Sequence, residues 1–143
     1  MQPSIANQAA GDLLRISLGV MYLTHSVVLK VLTYGFDGTA EYFVSIGLPA
    51  SLAYLTIAAE AIGGMLLIVG YKARETALAL IPILVGALWA HSRNGWVFSN
   101  EGGGWEYPLF LIVVSLAVVL NPGRVRVPRA AQVRAEQASQ VAR

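Results

Sequence analysis

The sequence contains no cysteine. Disulfides, thiol exchange, thiolate-held iron–sulfur clusters and cysteine-ligated zinc are excluded together, and the redox state of the compartment leaves no mark on the chain. Charge is scarce as well: Asp, Glu, Lys and Arg make up 13% of the residues, too few to coat a soluble surface. Histidine occurs only as His25 and His91, so a metal or haem site has few donors and none is expected. No basic stretch precedes the first apolar run in "MQPSIANQAAGDLL". A cleaved signal peptide is therefore not expected, and the first helix should stay as an anchor. What the chain does have is apolar bulk, 56% hydrophobic residues in 143 and a mean hydropathy of +0.61. That composition belongs to membrane proteins. The net charge of +2 and pI near 9.2 come mostly from one tail. They read as a topology signal, and no nucleic-acid partner is expected.

Four apolar segments stand out, at about 12–32, 50–70, 75–94 and 105–121, each near the roughly 20 residues a helix needs to cross about 30 Å of hydrocarbon. Runs this long without period-2 alternation favour helices, because lipid cannot satisfy unpaired strand edges. The expected fold is all-α, an integral-membrane four-helix bundle over residues 1–121, followed by a basic tail at 122–143. A loop is expected over 33–49, a tight turn at "YKARE" and a third loop at "SRNGWVFSNEGGG". Lys72 and Arg74 lie in the second connection, and Arg124, Arg126, Arg129, Arg134 and Arg143 follow the last segment. Basic residues are retained on the cytoplasmic side, so both termini are expected there. The tail, a frayed helix at most, reads as a solvated basic extension, with contact to anionic lipid headgroups as the alternative.

Within the apolar segments the polar residues are few and therefore informative. Glu60 sits in the middle of "SLAYLTIAAEAIGGMLLIVG", where an uncompensated acidic group costs roughly 2.5 to 3.5 kcal/mol on insertion. Gly63 and Gly64 follow it at spacings of three and four, on its own face, where another helix can approach closely. Arg15, Gly19, Tyr22 and Ser26 share one face of the first segment, with His25 beside Tyr22, a polar stripe suited to the bundle interior. His91 lies further out on the third segment, and Glu106 at the outer mouth of the fourth. The candidates for ligand or proton handling are thus Glu60, His25, His91 and Glu106. Arg15 reads as paired with Asp12 or snorkelling to the inner headgroups. The competing reading of Glu60 is structural, a carboxyl hydrogen-bonded across helices.

The motifs "LLRISLGVMYLTHSVVLKV", "AEAIGGMLLIVGYKAR", "HSRNGWVFSNEGGGWEYPLFL" and "NPG", in this order and spacing, resemble the DoxX family of small bacterial membrane proteins. The resemblance covers about residues 12–124. The matching positions are Arg15, Lys30, Glu60, Gly63, Gly64, Arg74, His91, Asn94, Gly95, Gly103, Gly104, Glu106 and Tyr107. The chain departs from the family's usual finish after Pro-Gly, where it reads "RVRVPR". The resemblance implies a bacterial inner-membrane bundle linked with quinone-dependent sulfur oxidation or with oxidative-stress systems.

Three functional readings remain open on these residues. The first is an accessory subunit of a membrane redox system, with Glu60, His25 and His91 lining a quinone or proton site and Glu106 relaying protons outward. Arg15, Tyr22, Gly63, Gly64, Asn94 and Tyr107 would support it. The second is a small proton-coupled transporter working as a homo-oligomer, most simply a dimer. The third is a passive scaffold for partner enzymes. Quinone is the cofactor the first reading admits. A bis-histidine haem would require His25 and His91 to converge from different depths, which argues against it. The expected partners are the lipid bilayer and, in the first reading, redox subunits. No catalytic step is assignable to this chain alone.

Overall fold

The computed structural model describes residues 4–123 together with Gln137 and Gln140. The basic tail expected over 122–143 lies outside the described residues from position 124 on, those two glutamines excepted. The described residues form helices and no strand. Helix α1 spans Ile5–Leu23 and runs on without a break as a π-helical segment, Thr24–Thr33; α2 is Gly35–Ser45, α3 Ala50–Val69, α4 Ala73–His91 and α5 Glu106–Leu120. Three rods, Ile5–Thr33, Ala50–Val69 and Ala73–Asn94, are long and apolar enough to cross a membrane. The fourth apolar helix, α5, has 15 residues, about 22 Å at 1.5 Å per residue.

The helix boundaries have local causes. Ser4 caps α1, its hydroxyl accepting from the Asn7 N–H at 3.2 Å, which satisfies one of the donors a helix start leaves open. Helix α3 starts behind Pro49 and ends at Gly70, whose φ of 80° turns the chain out of the coil as only glycine does freely. The N–H groups of Gly70 and Tyr71 both return to the Leu66 carbonyl, at 2.9 and 3.1 Å. The 33–49 stretch expected to be a loop contains α2. Its glycines and acidic residues read as a loop, yet the Thr39 and Ala40 face is buried, and the Thr39 hydroxyl donates to the Lys30 carbonyl at 2.8 Å.

Helices α1, α3, α4 and α5 pack in cyclic order, with α5 closing back on α1, and α2 lies against α3 and the π-helical segment. The tightest seam is between α1 and α3. A Cβ placed on Gly19 would meet the Gly64 carbonyl oxygen at 2.7 Å, and one on Gly64 would meet that of Gly19 at 2.8 Å. The two backbones therefore touch, as small residues permit in membrane helices. On the other side of α3, the space above Gly63 is filled by the Leu80 side chain of α4. The stripe bearing Glu60 is thus a helix-packing stripe on both flanks.

The buried core is small and includes Leu18, Tyr22, Leu67, Leu80, Leu84 and Val118. Large apolar side chains face outward instead, Leu55 at 65% exposure, Ile62 at 63% and Phe110 at 61% among them. That inversion fits a lipid surround rather than water. The "NPG" after α5 folds back over the start of α1: the Asn121 amide donates to the Asn7 carbonyl at 3.0 Å, and Gly123 lies so close to Gly11 that a Cβ there would meet its nitrogen at 2.6 Å. One end of the bundle is closed by this crossing.

Candidate functional site

The site begins with a change of helical pitch. In "THS", three consecutive side chains reach back one turn: the Thr24 hydroxyl donates to the Val20 carbonyl at 2.9 Å, His25 Nδ1 bonds the Met21 carbonyl at 2.9 Å, and the Ser26 hydroxyl donates to the Tyr22 carbonyl at 2.9 Å. These bonds compete with the backbone for the same acceptors. Beyond them the coil widens to i→i+5 pairing, visible at its end in the Tyr34 N–H bond to the Leu29 carbonyl, 2.9 Å. Wide-pitch segments of this kind concentrate at functional sites.

Lys30 lies on this widened segment, and its Nζ donates to Glu60 Oε2 at 2.6 Å. Side chains on helices lean toward the helix N-terminus. Because α1 and α3 run antiparallel, Lys30 and Glu60 lean toward each other and meet from different levels. The Glu60 side chain is 7% exposed and that of Lys30 20%, so the pair sits inside the bundle with its ammonium end nearer the rim. Lys30 is the partner that compensates the mid-helix carboxylate. From sequence Lys30 stands out only as a position matching the family and as one of two basic residues, with Arg15, inside the first apolar segment.

Three of the expected site residues, His25, Tyr107 and Tyr22, gather at this pair. His25 lies within electrostatic reach of Glu60, and its ring stacks on Tyr107 with centroids 5.8 Å apart and planes 24° from parallel. The Tyr107 hydroxyl donates to Met21 Sδ at 3.3 Å, so both rings of the stack are tied to the same methionine. Tyr22 is 3% exposed and stands beside Ser115 and within electrostatic reach of Glu60. Among the described residues its hydroxyl makes no hydrogen bond of good geometry; the neighbouring Ser115 hydroxyl donates to the Leu111 carbonyl at 2.8 Å. Next to the stack, Tyr107 also lines an open groove of about 450 Å³ with Trp96, Phe98, Glu106, Phe110 and Val113. Phe110 and Val113 are more than half exposed, so the groove opens on the apolar face.

The structure does not bring His91, Asn94 or Glu106 to Glu60. His91 Nδ1 contacts the carbonyls of Gly102 and Gly103 at 2.9 and 3.1 Å, and the Asn94 amide donates to both at 2.9 Å. Glu106 Oε1 accepts from the Phe98 N–H at 2.8 Å, and Trp96 meets Trp105 edge-on at 4.4 Å. These residues hold the loop between α4 and α5 shut over its own backbone. Arg15 is also engaged elsewhere. It is 5% exposed and donates to the Leu67 and Ile68 carbonyls at the end of α3 and, at 3.0 Å, to Asp12. The pairing with Asp12 is present, but the guanidinium caps a helix C-terminus instead of reaching out to headgroups. Among the described residues no group of three His, Asp or Glu side chains lies together as a metal ion would need.

Apolar helices closed around an internal Lys–Glu pair define a multi-pass membrane protein with a polar interior. The chain belongs to the DoxX family, whose match runs over residues 11–93. It is 30% identical over 112 residues to a Bacillus subtilis (strain 168) protein named "Putative oxidoreductase CatD", an alignment covering 78% of each chain. No solved structure matches it.

Proposed function

We propose that this chain is an accessory subunit of a membrane redox system in the bacterial inner membrane, binding a quinone-type ring and handling its protons at the Lys30, Glu60 and His25 cluster. The observation that carries this reading is the buried Lys30–Glu60 pair at 2.6 Å beside a histidine stacked on a tyrosine, all within apolar helices. Interior ionisable groups in a bilayer are costly and mark ion, proton or ligand paths. Quinol oxidation releases two protons, so a quinone site needs a base near the ring oxygens and donors to orient them. The oxidoreductase name of the Bacillus subtilis relative supports a redox setting.

In this reading α1 with its π-helical extension, α3, α4 and α5 all span the bilayer, and α2 lies at the outer interface. Lys72, Arg74 and the basic tail then share the cytoplasmic side with both termini. The transporter reading draws less support, because Glu60 is committed to Lys30 and is not a free carboxylate that alternates between proton and substrate. The test is to purify the protein in mild detergent beside Glu60→Gln and to identify co-extracted small molecules by mass spectrometry. Quinone retained by the parent and lost from the variant is the expected result. Absence of quinone from both would overturn the redox-site reading and turn attention to transport in liposomes.

A further inference from the structure

We infer that His25 makes this site selective for the redox state of its ligand, favouring a ring that carries hydroxyls, a quinol, over the corresponding carbonyl form, a quinone. The inference rests on the quinone-type reading given above and adds to it the group that discriminates.

The reasoning starts from the tautomer. His25 Nδ1 lies 2.9 Å from the Met21 carbonyl oxygen, which can only accept, so Nδ1 carries the proton and donates it. In the neutral ring Nε2 is then a bare acceptor. Among the described residues Nε2 has no hydrogen-bond partner. The other polar groups nearby are engaged differently. Glu60 is held by Lys30, and the Tyr107 hydroxyl spends its proton on Met21 Sδ. Lys30 keeps two ammonium protons beyond the one given to Glu60, and these can meet an oxygen of either ligand form. They bind without discriminating.

Nε2 does discriminate. A quinol hydroxyl can donate to it, whereas a quinone carbonyl would set lone pair against lone pair on the half-buried ring. A site that accepts from a ligand hydroxyl rejects the analogue lacking it. Access is provided by Tyr107, which is both the stacking partner of His25 and a wall of the groove on the apolar face. A ring ligand dissolved in lipid enters that groove sideways, past Phe110 and Val113, and at Tyr107 lies one ring away from the histidine.

The test is anaerobic equilibrium binding of decylubiquinol and decylubiquinone to the full chain in nanodiscs of neutral lipid, read by quenching of the tryptophan fluorescence from Trp96 and Trp105. The parent should bind the quinol about three- to tenfold more tightly, the value of one net hydrogen bond. His25→Phe keeps a ring for Tyr107 and removes the lone pair, so it should bring the ratio of quinol to quinone affinity to about one. Equal binding by the parent, tighter quinone binding, or a preference that survives in His25→Phe would overturn the inference and leave the quinone reading standing. Failure of both forms to bind the parent would overturn that reading and the inference with it. The parent's own ratio decides the matter even where the variant fails to accumulate.

Discussion

The Lys30–Glu60 pair makes a quantitative and asymmetric prediction about stability. Lys30→Met leaves the Glu60 carboxylate, 7% exposed, without its cation in a medium that solvates charge poorly. Breaking a buried pair from one side costs 3–5 kcal/mol, and the rim position of the ammonium puts this case at about 3 kcal/mol. Glu60→Gln is milder. The amide oxygen still accepts from Lys30, and the lysine, 20% exposed, can turn toward the interface, so the loss should be about 1–2 kcal/mol. Removing both charges at once replaces an ion pair by apolar and neutral side chains of similar volume, which is often close to neutral. The double variant should therefore lie within about 1 kcal/mol of the parent, a coupling energy of about 3–5 kcal/mol. The measurement is reversible unfolding in mixed micelles across a dodecyl sulfate titration, followed by circular dichroism, on the four proteins of the cycle. Additivity of the single effects within about 0.5 kcal/mol would refute the claim that the two groups share a buried interaction. A larger loss for Glu60→Gln than for Lys30→Met would refute the argument from depth.

Two further outcomes can be checked with the same preparations. Gly64→Ala puts a methyl group 2.8 Å from the Gly19 carbonyl oxygen and should cost about 1–3 kcal/mol by overpacking; Gly86→Ala meets nothing within 4 Å and should gain up to about 1 kcal/mol of helix propensity. An unfolding titration that ranks the two equally would refute the close α1–α3 seam. His91→Ala removes the clasp on the Gly102 and Gly103 carbonyls and should speed deuterium uptake across residues 95–104 while leaving the quinol-to-quinone affinity ratio unchanged. A changed ratio would place His91 in the ligand site after all.

Much of the frame was legible because lipid imposes strong rules on sequence. Long apolar runs must be helical where no water can satisfy the backbone, and the three longest rods fall on runs that hydropathy marks out. Glu60 was legible as an interior group because the glycines one turn further on ask for a close helix neighbour, and Gly19 of α1 and Leu80 of α4 supply it. The loop between α4 and α5 was less legible. His91 and Glu106 carry the residue types of a proton path, and nothing in their spacing says that their partners are the carbonyls of Gly102 and Gly103 and the amide of Phe98. Those bonds depend on how "GWVFSNEGGGW" folds upon itself, with Gly95, Gly102 and Gly103 all at positive φ, a conformation that composition permits but does not specify.

The partner of Glu60 was hidden for a different reason, the pitch of the coil. At 3.6 residues per turn, Thr33 continues the stripe of Tyr22 and Ser26, seven residues beyond Ser26, while Lys30 falls toward the edge of it. In the structure Ser26 is buried, Thr33 is exposed and Lys30 turns inward to Glu60. An i→i+5 coil turns through a smaller angle per residue, so positions after Ser26 lag behind the α-helical pattern, and a lag accumulated over four residues moves Lys30 onto the stripe while three more carry Thr33 off it. The origin of the lag is local, in the Thr24, His25 and Ser26 side chains that occupy the carbonyls of Val20, Met21 and Tyr22. The same His25 bond that fixes the tautomer at the site therefore helps to loosen the coil that delivers Lys30 to it, and one short polar stretch in an apolar helix sets both the charge balance and the hydrogen-bonding character of the interior.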